Sequence, residues 1–300
     1  MTVSYINPVT IDDTVFVSST RAETDYSAWS AATTYAANDK CIKASTHRIY
    51  QSIAGGNLNH DPALDTTATY WLDIGPTNRW AMFDRTVGSI TSQATPLTVV
   101  LAPGIVDSIA LLDVAATSVH ITMTDGGGGS TVYDKTVDMT DMAILLDWWG
   151  YFFDPILPKD TLTANDLPPY STGQITVAIT AAATAQCGTL VVGNNVEIGT
   201  LRPGAGLGII DYSRKETDQW GVTSVTERAY AKRFDLDVMV DAVKVDYVAK
   251  KLAEIRATPV VWIGDDIYAS LVALGFYKDW SITIAYPTLA EARLTIEGLS

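Results

Sequence analysis

Residues 118–124 read SVHITMT. Val119, Ile121 and Met123 alternate with His120, Thr122 and Thr124. One face of an extended segment is therefore apolar and the other polar, the period of a half-buried strand. TDGGGGST (124–131) follows as a glycine-rich hairpin tip, and STVYDKTV (130–137) forms the return strand. Outward on both sides lie further runs rich in Val, Ile and Thr: PLTVVLA (96–102), SIALLDV (108–114), QITVAIT (174–180) and GTLVVG (188–193). Gly, Pro and Asp clusters separate them. Short strands at this spacing, with no convincing amphipathic helix among them, predict a β-sandwich over 79–200. The aromatic, proline-rich stretch 141–170 reads as a long crossover packed on that sandwich.

The last hundred residues change character. TERAYAKRFDLDVMV (226–240) alternates as a strand. In 241–257, Val245, Val248, Leu252 and Ile255 follow helical spacing, with Lys250, Lys251 and Arg256 near the C-terminal end, where the helix dipole favours cations. Thr258-Pro259 ends the helix. PVVWIG, ASLVALGFYKDW, SITIAYP and ARLTIEGL then follow as strand-sized runs. The expectation for 201–300 is an α+β domain, one main helix on an antiparallel sheet. At the other end, residues 1–25 predict an arm or one or two short strands. Residues 26–78 form a small aromatic-rich unit with strand-like KCIKA (40–44) and RIYQSI (48–53). The fold class expected is mainly β throughout.

Composition narrows function. The chain has 20 basic and 34 acidic residues, a net charge of −14. Phosphate binding rests on Lys and Arg, so nucleic acid is a poor partner. The acid is concentrated in 79–200, with 4 basic and 12 acidic residues, whereas 201–300 has 12 and 14. The longest apolar run, 104–116, is broken by Asp107 and Asp113 and is too short to cross a membrane. The first 17 residues show no basic-then-apolar export signal. Cys41 and Cys187 stand far apart and read as small buried fillers. Gly204-x-Gly206-x-Gly208 precedes a strand-like run, which leaves no helix terminus for a phosphate. His47, His60 and His120 are scattered. Asp134, Asp138 and Asp141 could reach calcium, but no ligand spacing enforces it. The reading assigns no catalytic residue, cofactor or metal.

The aromatic unit carries the clearest pattern. Trp29, then Thr34-Tyr35, then Asn38-Asp39 precede one strand; Tyr50 lies in a second; Pro62 sits in a loop; Tyr70-Trp71 closes the unit. This order resembles the small chitin- and cellulose-binding modules of carbohydrate-binding families 5 and 12. The tandem Trp pair of many members' second strand is absent. The resemblance implies sugar contact by aromatic stacking, with Tyr70, Trp71, Trp29, Tyr35 and Tyr50 as candidates. Adjacent strand residues point to opposite faces, so one of Tyr70 and Trp71 can serve the core while the other faces solvent. The outer parts of the chain, including TPVVWIGDD (258–266) and GFYKDWSITIAYP (275–287), resemble tail-tip or baseplate proteins of tailed bacteriophages. The central sandwich resembles a galactose-binding-type jelly roll more weakly. That resemblance implies a structural, non-enzymatic virion protein, assembled in the host cytoplasm and located in the tail. Its implied partners are other tail or baseplate proteins, further copies of itself in a ring or trimer, and a host surface polysaccharide. The alternatives are a non-viral carbohydrate-binding or lectin-like protein and, third, a glycan-degrading enzyme.

Overall fold

The longest element, the 18-residue strand Thr184–Leu201, serves two β structures, one at each end. The computed structural model describes residues 2–84, 86, 88–140, 148–153, 157–265, 268–284 and 286–299. The first half of the long strand pairs with Ser108–Ala115 on one edge and Thr91–Ala94 on the other; Leu162–Ala164 pairs beyond Ser108–Ala115. Facing this layer is a five-stranded antiparallel sheet. Its order is Thr131–Asp138, Ser118–Thr124, Gln174–Thr180, Leu97–Leu101, Phe16–Ser19. Val119, Ile121 and Met123 are fully buried, as their alternation predicts, against Ile109, Leu111, Cys187 and Val192 of the other layer. Cys41 and Cys187 are free and buried in different cores, and burial pushes the thiols up to about 11 and about 12.

The second half of the long strand belongs to a closed sheet. Thr184–Leu201 pairs with Thr2–Pro8, which pairs with Val260–Ile263. Val272–Thr283, Leu289–Gly298 and Tyr230–Asp241 follow in turn. The last of these returns to the long strand through Thr200↔Met239 and Leu201↔Val238. Six strands thus close into a barrel-like sheet, and closure removes the edge from most of that circuit. A Cβ at Gly199 would collide with the Met239 carbonyl oxygen, so the closing approach needs glycine there. The helix Val245–Glu254 buries Val248 and Leu252, and Ile255 follows just past its end. These three pack with Tyr5, Phe234, Leu236 and Trp262 in one core.

Of the alternatives for residues 1–25, two short strands form: Thr2–Pro8 is an interior barrel strand, and Phe16–Ser19 edges the sandwich. Two other expectations change. The boundary expected at residue 200 falls inside a strand, and the antiparallel sheet expected for 201–300 is closed by strands from outside that range. The crossover 141–170 divides. Leu162–Ala164 and the buried Leu167 pack on the sandwich, but the short helix Trp148–Phe153 turns Trp148, Trp149, Phe152 and Phe153 outward. Residues 141–147 and 154–156 lie outside the described residues.

Two outcomes follow from the shared strands. Leu252→Ala should cost ~2–5 kcal/mol in chemical denaturation of the full chain, and Leu252→Asp more, since it buries an unpaired charge. Lys251→Ala should change stability by no more than ~0.5 kcal/mol, although it removes an exposed pair to Glu254. The fragment 201–300, lacking two of six barrel strands, should show no cooperative unfolding. A sharp transition from that fragment would refute the shared barrel.

Candidate functional site

The aromatic module is a three-stranded sheet, Lys40–Lys43, Arg48–Ser52, Trp71–Pro76, beside a two-stranded pair, Thr34–Tyr35 and Asn57–Leu58. Its miniature core is Tyr35, Cys41, Tyr50 and Trp71, with Trp29 packed at the side. Trp71 is 2% exposed, meets Tyr35 edge-on at 4.9 Å between centroids, and donates its indole N–H to the His60 carbonyl at 2.8 Å. Tyr35 and Tyr50 are also buried. These three candidates hold the module together and present no ring face to solvent. Small domains have little else to bury, which is why aromatic residues do this work. Trp29 is half-buried, with the Lys43 ammonium 4.2 Å over its ring and tied to Asp61 at 2.7 Å.

Tyr70 is the exposed member of the closing pair, at 39%. His60 stacks on it at 3.5 Å and 8°, and the His60 Nδ1 lies 2.9 Å from the Asn57 side-chain oxygen. The loop that presents it is held by one carboxylate. Asp65 accepts from the backbone N–H groups of Thr69, Tyr70 and Trp71. Partial burial opposes ionisation of Asp65, but those donors outweigh it and lower its pKa. Tyr70 therefore sits on a preorganised platform with one face occupied, the kind of flat apolar surface a pyranose ring can lie against.

A second feature was not legible. Gly206–Asp211 pairs with the start of Tyr230–Asp241 and continues outward into a two-stranded ribbon, Arg214–Thr217 with Thr223–Thr226. All eight ribbon residues are exposed. At its tip the Asp218 carboxylate accepts from the N–H groups of Trp220 (2.8 Å) and Val222 (2.9 Å), and Gly221 takes φ +79°. The turn is thus locked, and it holds Trp220 81% exposed.

The histidines and acids group differently from sequence order. His120 meets Asp134 at 2.9 Å on the surface. His47 meets Asp13 and Glu23, residues 34 and 24 positions away. No sequence signal announces contacts at such separations. Of the calcium candidates, Asp134 is engaged by His120, and Asp141 lies outside the described residues. Among the described residues no group of three or more His, Cys, Asp or Glu side chains is placed to hold a metal, and no helix is long and apolar enough to cross a membrane. A scan against protein-family models matches none, and a search of curated proteins finds no similar sequence.

Neighbouring substitutions separate the two aromatic roles. Trp71→Ala should cost ~3–5 kcal/mol of stability, as for other buried aromatic truncations. Tyr70→Ala should leave the unfolding midpoint nearly unchanged and abolish retention on whichever of chitin, cellulose or host envelope glycan the wild type binds. No binding by the wild type to any of them would remove the ligand assignment and leave the module a spacer.

Proposed function

We propose that this protein is a structural component of a tailed-bacteriophage virion, in the tail tip, baseplate or fibre attachment region. In this reading the module offers Tyr70 to a host surface glycan, and the sandwich is a galactose-binding-type jelly roll. The observation that carries the assembly reading is the ribbon around Trp220. A locked, protruding hairpin with Trp220, Val222 and Val225 exposed is costly for a monomer to leave in water and well suited to a partner surface. The cations of this ribbon are answered locally, Arg214 by Glu216 and Lys215 by Asp211, so what it offers a partner is the exposed indole and its flanking valines. An exposed anchor on one copy that seats in a different surface of the next makes a head-to-tail contact, and such contacts form a ring where the rotation between copies closes.

The ribbon can be shortened without touching the barrel. Replacing 213–227 by a tight Asn-Gly turn should preserve the thermal transition and remove the protein from purified tailed particles. The same variant should sediment as a monomer under conditions where the wild type self-associates. Glycan binding by the wild type, together with its absence from every particle fraction, would favour the non-viral carbohydrate-binding reading instead.

A further inference from the structure

His47 occupies the turn of the hairpin joining Lys40–Lys43 to Arg48–Ser52, at φ +54°. Left-handed backbone is uncommon for a residue with a side chain, so the surroundings must hold it there. Its ring is engaged on three sides by groups outside the module. Nδ1 lies 3.2 Å from both carboxylate oxygens of Glu23. Nε2 lies 3.0 Å from the Asp13 carboxylate. One face stacks on Trp80 at 3.9 Å and 16°. Asp13 and Glu23 come from the segment before the module, and Trp80 from the segment after it. Trp80 is itself packed against Phe16 and Phe83 of the scaffold.

Proton counting decides what this arrangement needs. A neutral imidazole has one N–H and one lone pair, and an ionised carboxylate only accepts. With a carboxylate on each ring nitrogen, the neutral ring would point its lone pair at a negative oxygen. The imidazolium donates to both and presents a cation to the indole face of Trp80. We propose that His47 is a protonation-controlled latch that fixes the aromatic module to the rest of the protein.

The two contacts are unequal. The Glu23 side chain is 13% exposed and also accepts from the Thr77 hydroxyl at 2.9 Å; Asp13 is 73% exposed. Loss of the ring proton therefore releases Asp13 first. The ladder bond at the edge of the module, Thr77 N–H to the His47 carbonyl at 2.9 Å, then loses its brace, because the Thr77 hydroxyl and the His47 ring share Glu23. The other charged groups around this concavity are Asp12, bound to Thr14; Arg48, paired with Asp73 and facing Asp84; and Asp84 itself. Arg48 is committed to its own carboxylates. The sign follows. The latch is closed while the ring carries both protons and opens as rising pH removes one. Protonating the carboxylates in acid removes its acceptors and opens it as well.

The test uses the full chain and the exchange of the Thr77 amide, corrected for the intrinsic pH dependence of exchange. In the wild type, protection at Thr77 should fall about tenfold between pH 5.5 and 8, the scale of one charge-assisted hydrogen bond. His47→Gln should lose that pH dependence. Asp13→Asn supplies an amide that can donate to a neutral ring nitrogen, so it should keep Thr77 protected at pH 8. Global stability measured alongside separates a loosened latch from an unfolded variant. Equal pH profiles for the wild type and His47→Gln, or an Asp13→Asn variant that opens like the wild type, would overturn the proposal.

Discussion

The ladder between Thr2–Pro8 and Thr184–Leu201 runs from Thr2↔Thr200 to Pro8↔Gly193 and joins the two ends of the architecture. Without it the barrel would be open on both sides of one strand, and Val3 and Tyr5 would leave its core. The approach is close enough that Gly193 admits only glycine, since a Cβ there would strike the Asn7 carbonyl. The barrel's closing contact makes the same demand at Gly199, where a Cβ would strike the Met239 carbonyl. The pairing also spans most of the chain. Closure entropy must be met before such contacts bring a return, so the N-terminal strand depends on segments made long after it. The sandwich and the barrel are therefore one mechanical unit, and what protrudes from them is mounted on a rigid base.

Local pattern was readable wherever burial was one-sided. SVHITMT has one wet face and one dry face, and its alternation reports that directly. The stripe at Val248, Leu252 and Ile255 does the same for the helix. Pattern failed where both faces are covered. Val260–Ile263 is buried at all four positions, because it lies inside the barrel wall with apolar clusters on each side. A run of that kind shows that a strand is buried but not which strands flank it. The continuation of GTLVVG into the barrel was hidden for another reason: NNVEIG is polar and half-exposed and reads as the end of the sandwich. For the module, the aromatic residues were legible as a set, but their division was not. Whether Tyr70 or Trp71 turns inward depends on the Asp65 loop and on the bulge between Ile49 and Tyr50 in the neighbouring strand, neither of which leaves a periodic trace.

Closing the barrel also governs where unpaired backbone remains. A sheet edge invites pairing with other chains, and closure removes that edge from most of the circuit. The start of Tyr230–Asp241 escapes closure because Gly206–Asp211, not the long strand, covers it there. The ribbon grows from this point, carrying its own two free edges outward. Arg214, Lys215 and Glu216 occupy one of those strands, and charged edges discourage indiscriminate strand addition. What the ribbon offers is consequently selective. Its backbone edges are guarded by charge, while Trp220 stands clear at a turn tied down by Asp218. A partner gains by accommodating that indole in a pocket, and a generic strand edge offers none.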